Sequence, residues 1–231
     1  RPNIWRKIMR KWSWLGIIFL ILVMFTCAWF RIEQTALFIF LAAIIAIIPF
    51  MVSYEQKKPK ARDLMPVVVL SALAIAGRML LAAFPNIMPV TSIVIIAGIA
   101  FGAESGFMTG ALSALVSNIF LGQGPWTAWQ MLAWGLVGFT AGILAEKNLL
   151  SKTWSIFLYG FLASIFFGLL MDTWTILGFI QPLNSTSILT TYSLGMIFNL
   201  SHAISTVVFL LPIHKPWLRQ LKRIKAKFDL K

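Results

Sequence analysis

The chain has 231 residues, of which 59% are hydrophobic and 12% are charged, and it carries a net charge of +13. A water-soluble domain has about half apolar and a quarter charged residues, so this composition excludes an ordinary soluble fold. It favours a series of membrane spans of about 20 residues each. The single cysteine, Cys27, excludes an intrachain disulfide and is expected to pack as a small hydrophobic residue.

Eight hydrophobic segments follow one another along the chain and predict an all-α integral membrane protein with eight spans. The segments are residues 13–30, 35–53, 64–84, 88–102, 106–121, 127–145, 154–179 and 188–212. The first is expected to be retained as a span, because it is longer than the apolar region of a signal peptide. The fourth and fifth are short, so one of them is expected to be tilted or to cross half of the bilayer.

Basic residues are distributed unevenly around these spans. If the N-terminus is cytoplasmic and the spans alternate, 18 of the 20 lysines and arginines fall on the cytoplasmic side. Arg31 then lies in an outer loop and Arg78 within a span. Because cytoplasmic loops of membrane proteins are enriched in basic residues, this predicts that both termini are cytoplasmic. It also makes the lipid bilayer, and not nucleic acid, the expected partner of the positive charge.

Composition divides the chain into an N-terminal part, a core and a tail. These are residues 1–63, with a basic segment, two apolar spans and a polar linker; residues 64–212, with six spans richer in polar residues; and residues 213–231, which are basic. In the tail, Trp217, Leu221, Ile224 and Phe228 share one helical face. Such a helix lies on an anionic membrane surface, or it is a solvated charge run that only sets the topology.

Polar side chains of the core are predicted to lie at one depth, in the outer half of the membrane. The two intramembrane charges, Arg78 and Asp172, are expected there as an ion pair or as direct ligand contacts. The other predicted substrate-binding residues are Asn86, Asn118, Gln123, Trp126, Trp129, Gln130, Trp134, Asn199 and His202. Since indoles stack on rings and amides form hydrogen bonds, the set predicts a pocket for a polar, ring-containing small molecule. An interfacial aromatic belt is the alternative.

Small residues recur at four-residue spacing, which lets helices approach closely in lipid. The pattern includes Ala72 and Ala76, and then Gly98, Gly102, Gly106, Gly110, Gly138 and Gly142. Most of these residues are expected to pack within the chain. Ala72 and Ala76 either do the same or form a flat groove for a partner helix.

Motifs for catalysis are absent from the sequence. There is no phosphate-binding loop for ATP hydrolysis and no zinc-protease or serine-hydrolase motif, and His202 has no second metal ligand at a suitable spacing. The chain is therefore expected to bind a ligand without a metal or cofactor of its own. A membrane scaffold or sensor, and a membrane enzyme, are the alternatives from other classes.

Two stretches carry a family resemblance. The sequence P-N-I-M-P-V-T at 85–91, and S-N-I-F-L-G-Q-G-P-W-T at 117–127 followed by W-Q-M-L-A-W-G at 129–135, resemble the substrate-specific S components of energy-coupling factor (ECF) transporters. The resemblance covers residues 64 to about 212. It implies a six-helix vitamin-binding core, here preceded by two extra spans.

The same resemblance has implications for partners and ligand. It implies that Ala72 and Ala76 dock on a transmembrane coupling subunit, and that two ATPase subunits power release of the vitamin into the cell. Within the family the chain is most similar to the cobalamin-specific members, with riboflavin as the alternative vitamin.

Overall fold

A computed structural model describes residues 14–23, 26, 35–56 and 59–230 of the chain. Apart from connecting turns, these residues form eight α-helices and no strand, which confirms the predicted all-α membrane class. The helices are α1 (Trp14–Val23), α2 (Thr35–Glu55), α3 (Ala61–Leu80), α4 (Val90–Phe101), α5 (Ala103–Leu121), α6 (Trp126–Glu146), α7 (Thr153–Phe179) and α8 (Ser185–Lys227). The basic segment before residue 14 lies outside the described residues.

Helix length and apolar composition indicate which helices can each span the bilayer. Among the described residues, four helices are both long and apolar enough to do so: α3, α6, α7 and α8. Helix α4 has only 12 residues, about 18 Å at a rise of ~1.5 Å per residue, against a hydrocarbon core of ~30 Å. Eleven of these residues are buried, so α4 lies inside the bundle. The sequence predicted such a partial span here.

Glycines allow the close packing of α4, α5 and α6. A Cβ atom on Gly138 would lie 2.2 Å from the carbonyl oxygen of Gly106, and one on Gly98 would lie equally close to that of Gly138. The predicted internal packing of these glycines is therefore confirmed. Gly102 differs, because a Cβ atom there would meet nothing. It is needed for its φ of +96°, which turns the chain from α4 into α5.

The first two helices are part of the same bundle. Helix α2 packs against α5, α6 and α7. Phe50 stacks on Phe107 with ring centroids 4.2 Å apart, and its ring meets the edge of Phe139 at 4.9 Å. Leu20 of α1 is buried in the same hydrophobic cluster. The N-terminal helices thus cover one face of the later six.

The basic tail continues the last helix. Helix α8 runs through Pro212 and Pro216 to Lys227, so no break in the helix marks the predicted boundary at residue 213. Trp217, Leu221 and Ile224 pack against the protein's own core. The sequence had suggested a helix on the membrane surface or a solvated charge run, and neither interpretation expected this contact. The short α4 explains the difference, because its C-terminal end needs a cover within the protein.

Lys225 completes that cover. Its ammonium group donates a hydrogen bond of 3.2 Å to the carbonyl oxygen of Ala100 and lies 6.0 Å from the centre of the Phe101 ring. A cation at the C-terminus of a helix interacts favourably with the helix dipole. The tail is therefore fastened to the end of α4. The division into three domains and the side of the membrane on which each terminus lies stay predictions.

Candidate functional site

Most of the predicted site residues lie near one end of the bundle. At this end α3, α5 and α7 finish and α4, α6 and α8 begin, and we call it the Asn118 end. Two local features shape it. Gly122 ends α5 with a φ of +113°, and the side chain of Asn184 caps the start of α8 by accepting a hydrogen bond from the backbone N–H of Ser187.

Asn118 joins three helices at this end. Its side chain is 1% exposed. The Oδ1 atom accepts a hydrogen bond of 2.8 Å from Nη1 of Arg78 on α3. The Nδ2 group donates to Oγ1 of Thr127 at 2.9 Å and to Oε1 of Gln130 at 2.8 Å, both on α6. The structure thus brings together Arg78, Asn118 and Gln130, which the sequence predicted for one site.

Gln123 and Thr127 extend this network toward the turn between α5 and α6. The Thr127 hydroxyl donates a hydrogen bond of 2.8 Å to Oε1 of Gln123, whose Nε2 donates to the backbone carbonyl of Leu115 at 2.9 Å. Sequence analysis missed Thr127 as a site residue, although it ends the G-Q-G-P-W-T motif. We call Arg78, Asn118, Gln123, Thr127 and Gln130 the Asn118 cluster.

Arg78 lies in the last turn of α3, where a positive charge is favourable. Besides its bond to Asn118, Nη1 donates to the hydroxyl of Ser117. The guanidinium carbon lies 5.0 Å from the centre of the Trp134 ring, which is a cation–π distance. These contacts use Nη1 alone, and the Nε and Nη2 groups donate to no side chain or carbonyl among the described residues. Arg78 therefore has donors that its bonds to the described residues leave unused.

Asp172 is not the partner of Arg78, although both residues are in the described part of the chain. Oδ2 of Asp172 on α7 instead accepts a hydrogen bond of 2.8 Å from Nδ2 of Asn199 on α8. The ion pair offered as one alternative by the sequence does not form. The reason is the packing order, because α3 packs on α4 and α5 whereas α7 packs on α6 and α8.

An aromatic layer lies about one helical turn deeper. Trp134 stacks on Phe167 with centroids 4.5 Å apart, and the edge of Phe167 meets His202 at 5.2 Å. The hydroxyl of Thr91 links the two predicted site residues, since it accepts a bond of 3.0 Å from the indole N–H of Trp134 and lies 2.9 Å from Nε2 of His202. Trp134 and His202 are 0% and 1% exposed, so they form a buried floor that joins four helices.

Besides Asp172 and Asn199, which bond to each other, three predicted residues are not joined to the Asn118 cluster. Trp129 is buried on another side of α6, in the hydrophobic cluster that includes α2. Trp126 meets Trp174 of α7 edge-on at 6.3 Å. Asn86 lies in the turn after α3 with a φ of +61°. Its side chain forms no hydrogen bond with any of the five residues of the Asn118 cluster. Whether these residues touch a ligand stays a prediction.

A cavity of about 410 Å³ opens beside the Asn118 cluster. It is lined by Phe40, Ile44, Leu115, Gln123, Gly124, Thr127, Ala128 and Met131. Two of these residues, Gln123 and Thr127, are members of the cluster. Two others, Phe40 and Ile44, belong to α2, to which the sequence assigned no site residue.

The predicted docking residues lie on an open face of α3. Ala72 and Ala76 are both exposed, and their neighbours Val68, Val69 and Leu73 are 45–55% exposed. This excludes the alternative that the two alanines pack within the described chain. Their contact with a partner helix stays a prediction.

Comparison with known proteins gives one match. A model of the family described as ECF-type riboflavin transporter, S component, matches residues 58–218, which is more than half of the chain. No curated protein and no solved structure matches significantly. The matched region contains every residue of the Asn118 cluster, and it leaves α1 and α2 outside.

Proposed function

Since the chain belongs to the family of ECF-type riboflavin transporter S components, we propose that it captures riboflavin for uptake. An S component is the vitamin-binding membrane subunit of a transporter and works with ECF membrane and ATPase modules. The chain is such a subunit and not an enzyme, which removes the membrane enzyme from the alternatives above. Riboflavin takes precedence over cobalamin because the matching family is named for it, whereas only the motif resemblance favours cobalamin.

The proposed ligand contacts lie at the Asn118 end. The flavin ring system carries two carbonyl oxygens and an imide N–H along one edge. Arg78 has guanidinium donors to spare for a carbonyl, and Asn118 holds both Arg78 and Gln130 in fixed positions. Such a small number of placed polar groups in a mostly apolar site is typical of small-molecule pockets. Asp172 and Asn199 are a second polar pair for the hydroxyl groups of the ribityl chain.

The same proposal includes transport. Ala72 and Ala76 dock the chain on a transmembrane coupling subunit, and two ATPase subunits supply the energy. The Asn118 end faces outward and both termini are cytoplasmic, as the distribution of basic residues favours. The exposure of Ala72 and Ala76 supports this part, because a docking surface has to be free in the isolated subunit.

A titration of the purified protein with riboflavin tests the proposal. Flavin fluorescence is quenched when the ring is bound against aromatic side chains, and calorimetry gives an independent affinity. We expect saturable binding of riboflavin that an excess of cobalamin does not displace. Binding of cobalamin with no binding of riboflavin would assign the other vitamin. Binding of neither, nor of any vitamin in a wider panel, would overturn the function in vitamin capture.

A further inference from the structure

We infer that α2 forms one wall of the vitamin pocket, and that Phe40 and Ile44 contact the ring of the ligand. The inference rests on the proposed function and adds residues to its site. Both residues lie outside the matched region of 58–218, so family membership alone does not assign them a role. The cavity beside the Asn118 cluster is the place where they act.

The first observation is that the cavity and the cluster share side chains. Thr127 lines the cavity, and its hydroxyl accepts from Asn118 and donates to Gln123. Gln123 lines the cavity as well. A ligand in the cavity therefore lies directly against the hydrogen-bond network that holds Arg78. The contact with the network is through Gln123 and Thr127, since Arg78, Asn118 and Gln130 do not line the cavity.

The second observation is that α2 is held in place by close packing. Ala42, Ala43 and Ala46 are each at most 2% exposed, which shows that α2 lies tightly on the neighbouring helices. One turn further, Phe50 is fixed between Phe107 and Phe139. Phe40 and Ile44 are one helical turn apart and line the cavity together. The wall that they form belongs to a helix that packs on α5, α6 and α7.

The third observation concerns size and chemistry. The volume of about 410 Å³ lies in the lower part of the range of ~300–1,000 Å³ that is usual for pockets of small ligands. Apolar side chains dominate the lining, with two polar side chains at one edge. A flat ring system with one hydrogen-bonding edge suits this lining. The corrin of cobalamin is much larger than such a ring system.

Paired substitutions in α2 of the full-length protein test the inference. Ile44→Trp adds bulk to the cavity lining. Its control is Ile48→Trp, one turn along the same helix, where the side chain is exposed to a similar degree (49% against 39% for Ile44) but lies outside the lining. Phe40→Ala removes a wall, and its control is Phe38→Ala, where the side chain is 45% exposed. The melting temperature of each ligand-free variant shows whether it remains folded.

The readout is the affinity for riboflavin and for lumiflavin, which has the same ring without the ribityl chain. We expect Ile44→Trp and Phe40→Ala to weaken the binding of both ligands about tenfold or more, and by equal factors, because the cavity holds the ring. The two controls should stay within about twofold of wild type. Equal effects on the two ligands distinguish a ring pocket from a site for the chain.

Three results would count against the inference in different ways. If both cavity variants bind like their controls while wild type binds riboflavin, α2 is not part of the pocket and the proposed function stands. If Ile44→Trp leaves vitamin binding unchanged and reduces only the amount of lipid that copurifies, the cavity holds an acyl chain. If wild type binds no vitamin, the proposed function itself fails. Should one cavity variant unfold, the other still decides, since one adds volume and the other removes it.

Discussion

Asn199 of α8 donates a hydrogen bond of 2.8 Å to Asp172 of α7. Each of these two side chains lies against a glycine of the opposite helix. A Cβ atom on Gly168 of α7 would meet Oδ1 of Asn199 at 1.9 Å, and one on Gly195 of α8 would meet Oδ2 of Asp172 at 2.5 Å. Each polar residue is four positions from the glycine on its own helix. The two helices can therefore hold an amide and a carboxyl group between them at close approach.

This arrangement predicts that the hydrogen bond matters more than the charge of Asp172. Asp172→Asn keeps an acceptor oxygen for Asn199, whereas Asp172→Ala leaves the Asn199 amide without its partner. We expect Asp172→Ala to lower the free energy of unfolding by roughly 1–3 kcal/mol and Asp172→Asn by clearly less. Denaturant unfolding in detergent measures both. Equal losses for the two variants would show that the negative charge itself is required.

A second prediction concerns the centre of the Asn118 cluster. Asn118→Ala removes hydrogen bonds to Arg78, Thr127 and Gln130 at once. Because each buried polar group left without a partner costs roughly 1–3 kcal/mol, we expect a clear loss of stability together with weaker riboflavin binding. Ile119→Ala is the control, since Ile119 is the next residue and is 64% exposed. The idea fails if the two variants have the same melting temperature.

A third prediction separates the charge of Arg78 from its geometry. Arg78→Lys keeps a positive charge but loses the planar group that lies over Trp134 and bonds two side chains of α5. We expect a folded protein with riboflavin affinity reduced about tenfold, measured by fluorescence titration. Wild-type affinity in this variant would mean that any cation suffices there.

A fourth prediction distinguishes docking from folding on α3. Replacing Ala72 and Ala76 together by leucine changes only exposed positions, so riboflavin affinity and melting temperature should stay close to wild type. Uptake into vesicles that also contain the coupling and ATPase subunits should be lost. By contrast, Ala74→Leu alters a residue that is 0% exposed and should destabilise the fold. Normal uptake by the double variant would move the docking surface elsewhere.

The fastening of the tail provides a fifth prediction. Lys225→Ala removes the hydrogen bond to Ala100, so the end of α8 should open more often and be cut faster by trypsin. Lys222→Ala serves as the control, because the Lys222 side chain is exposed. This substitution also removes one trypsin site but no contact with α4. Equal cleavage rates at the remaining sites would show that Lys225 does not hold the tail.

The sequence by itself determined the class of protein and the order of its helices. Each span is a continuous apolar stretch, and in lipid the backbone has to satisfy its hydrogen bonds within the helix. Hence the eight predicted segments each correspond to one described helix, and Arg78, Asn118 and Gln130 were recognised from their polarity. They were predicted to lie close together because they are at helix ends that the alternating spans place on the same side of the membrane.

Only the tertiary structure decided which of these groups touch. Depth along a span can be counted from sequence, but the rotation of a helix and its choice of neighbours depend on packing between residues far apart in the chain. Arg78 and Asp172 have similar predicted depths, yet α3 and α7 pack on different helices. For the same reason nothing in the sequence indicated that Phe40 of α2 and Thr127 line one cavity, or that the tail covers α4. The tail contact forms because α4 is short and ends inside the protein, where Lys225 of α8 bonds to the carbonyl group of Ala100.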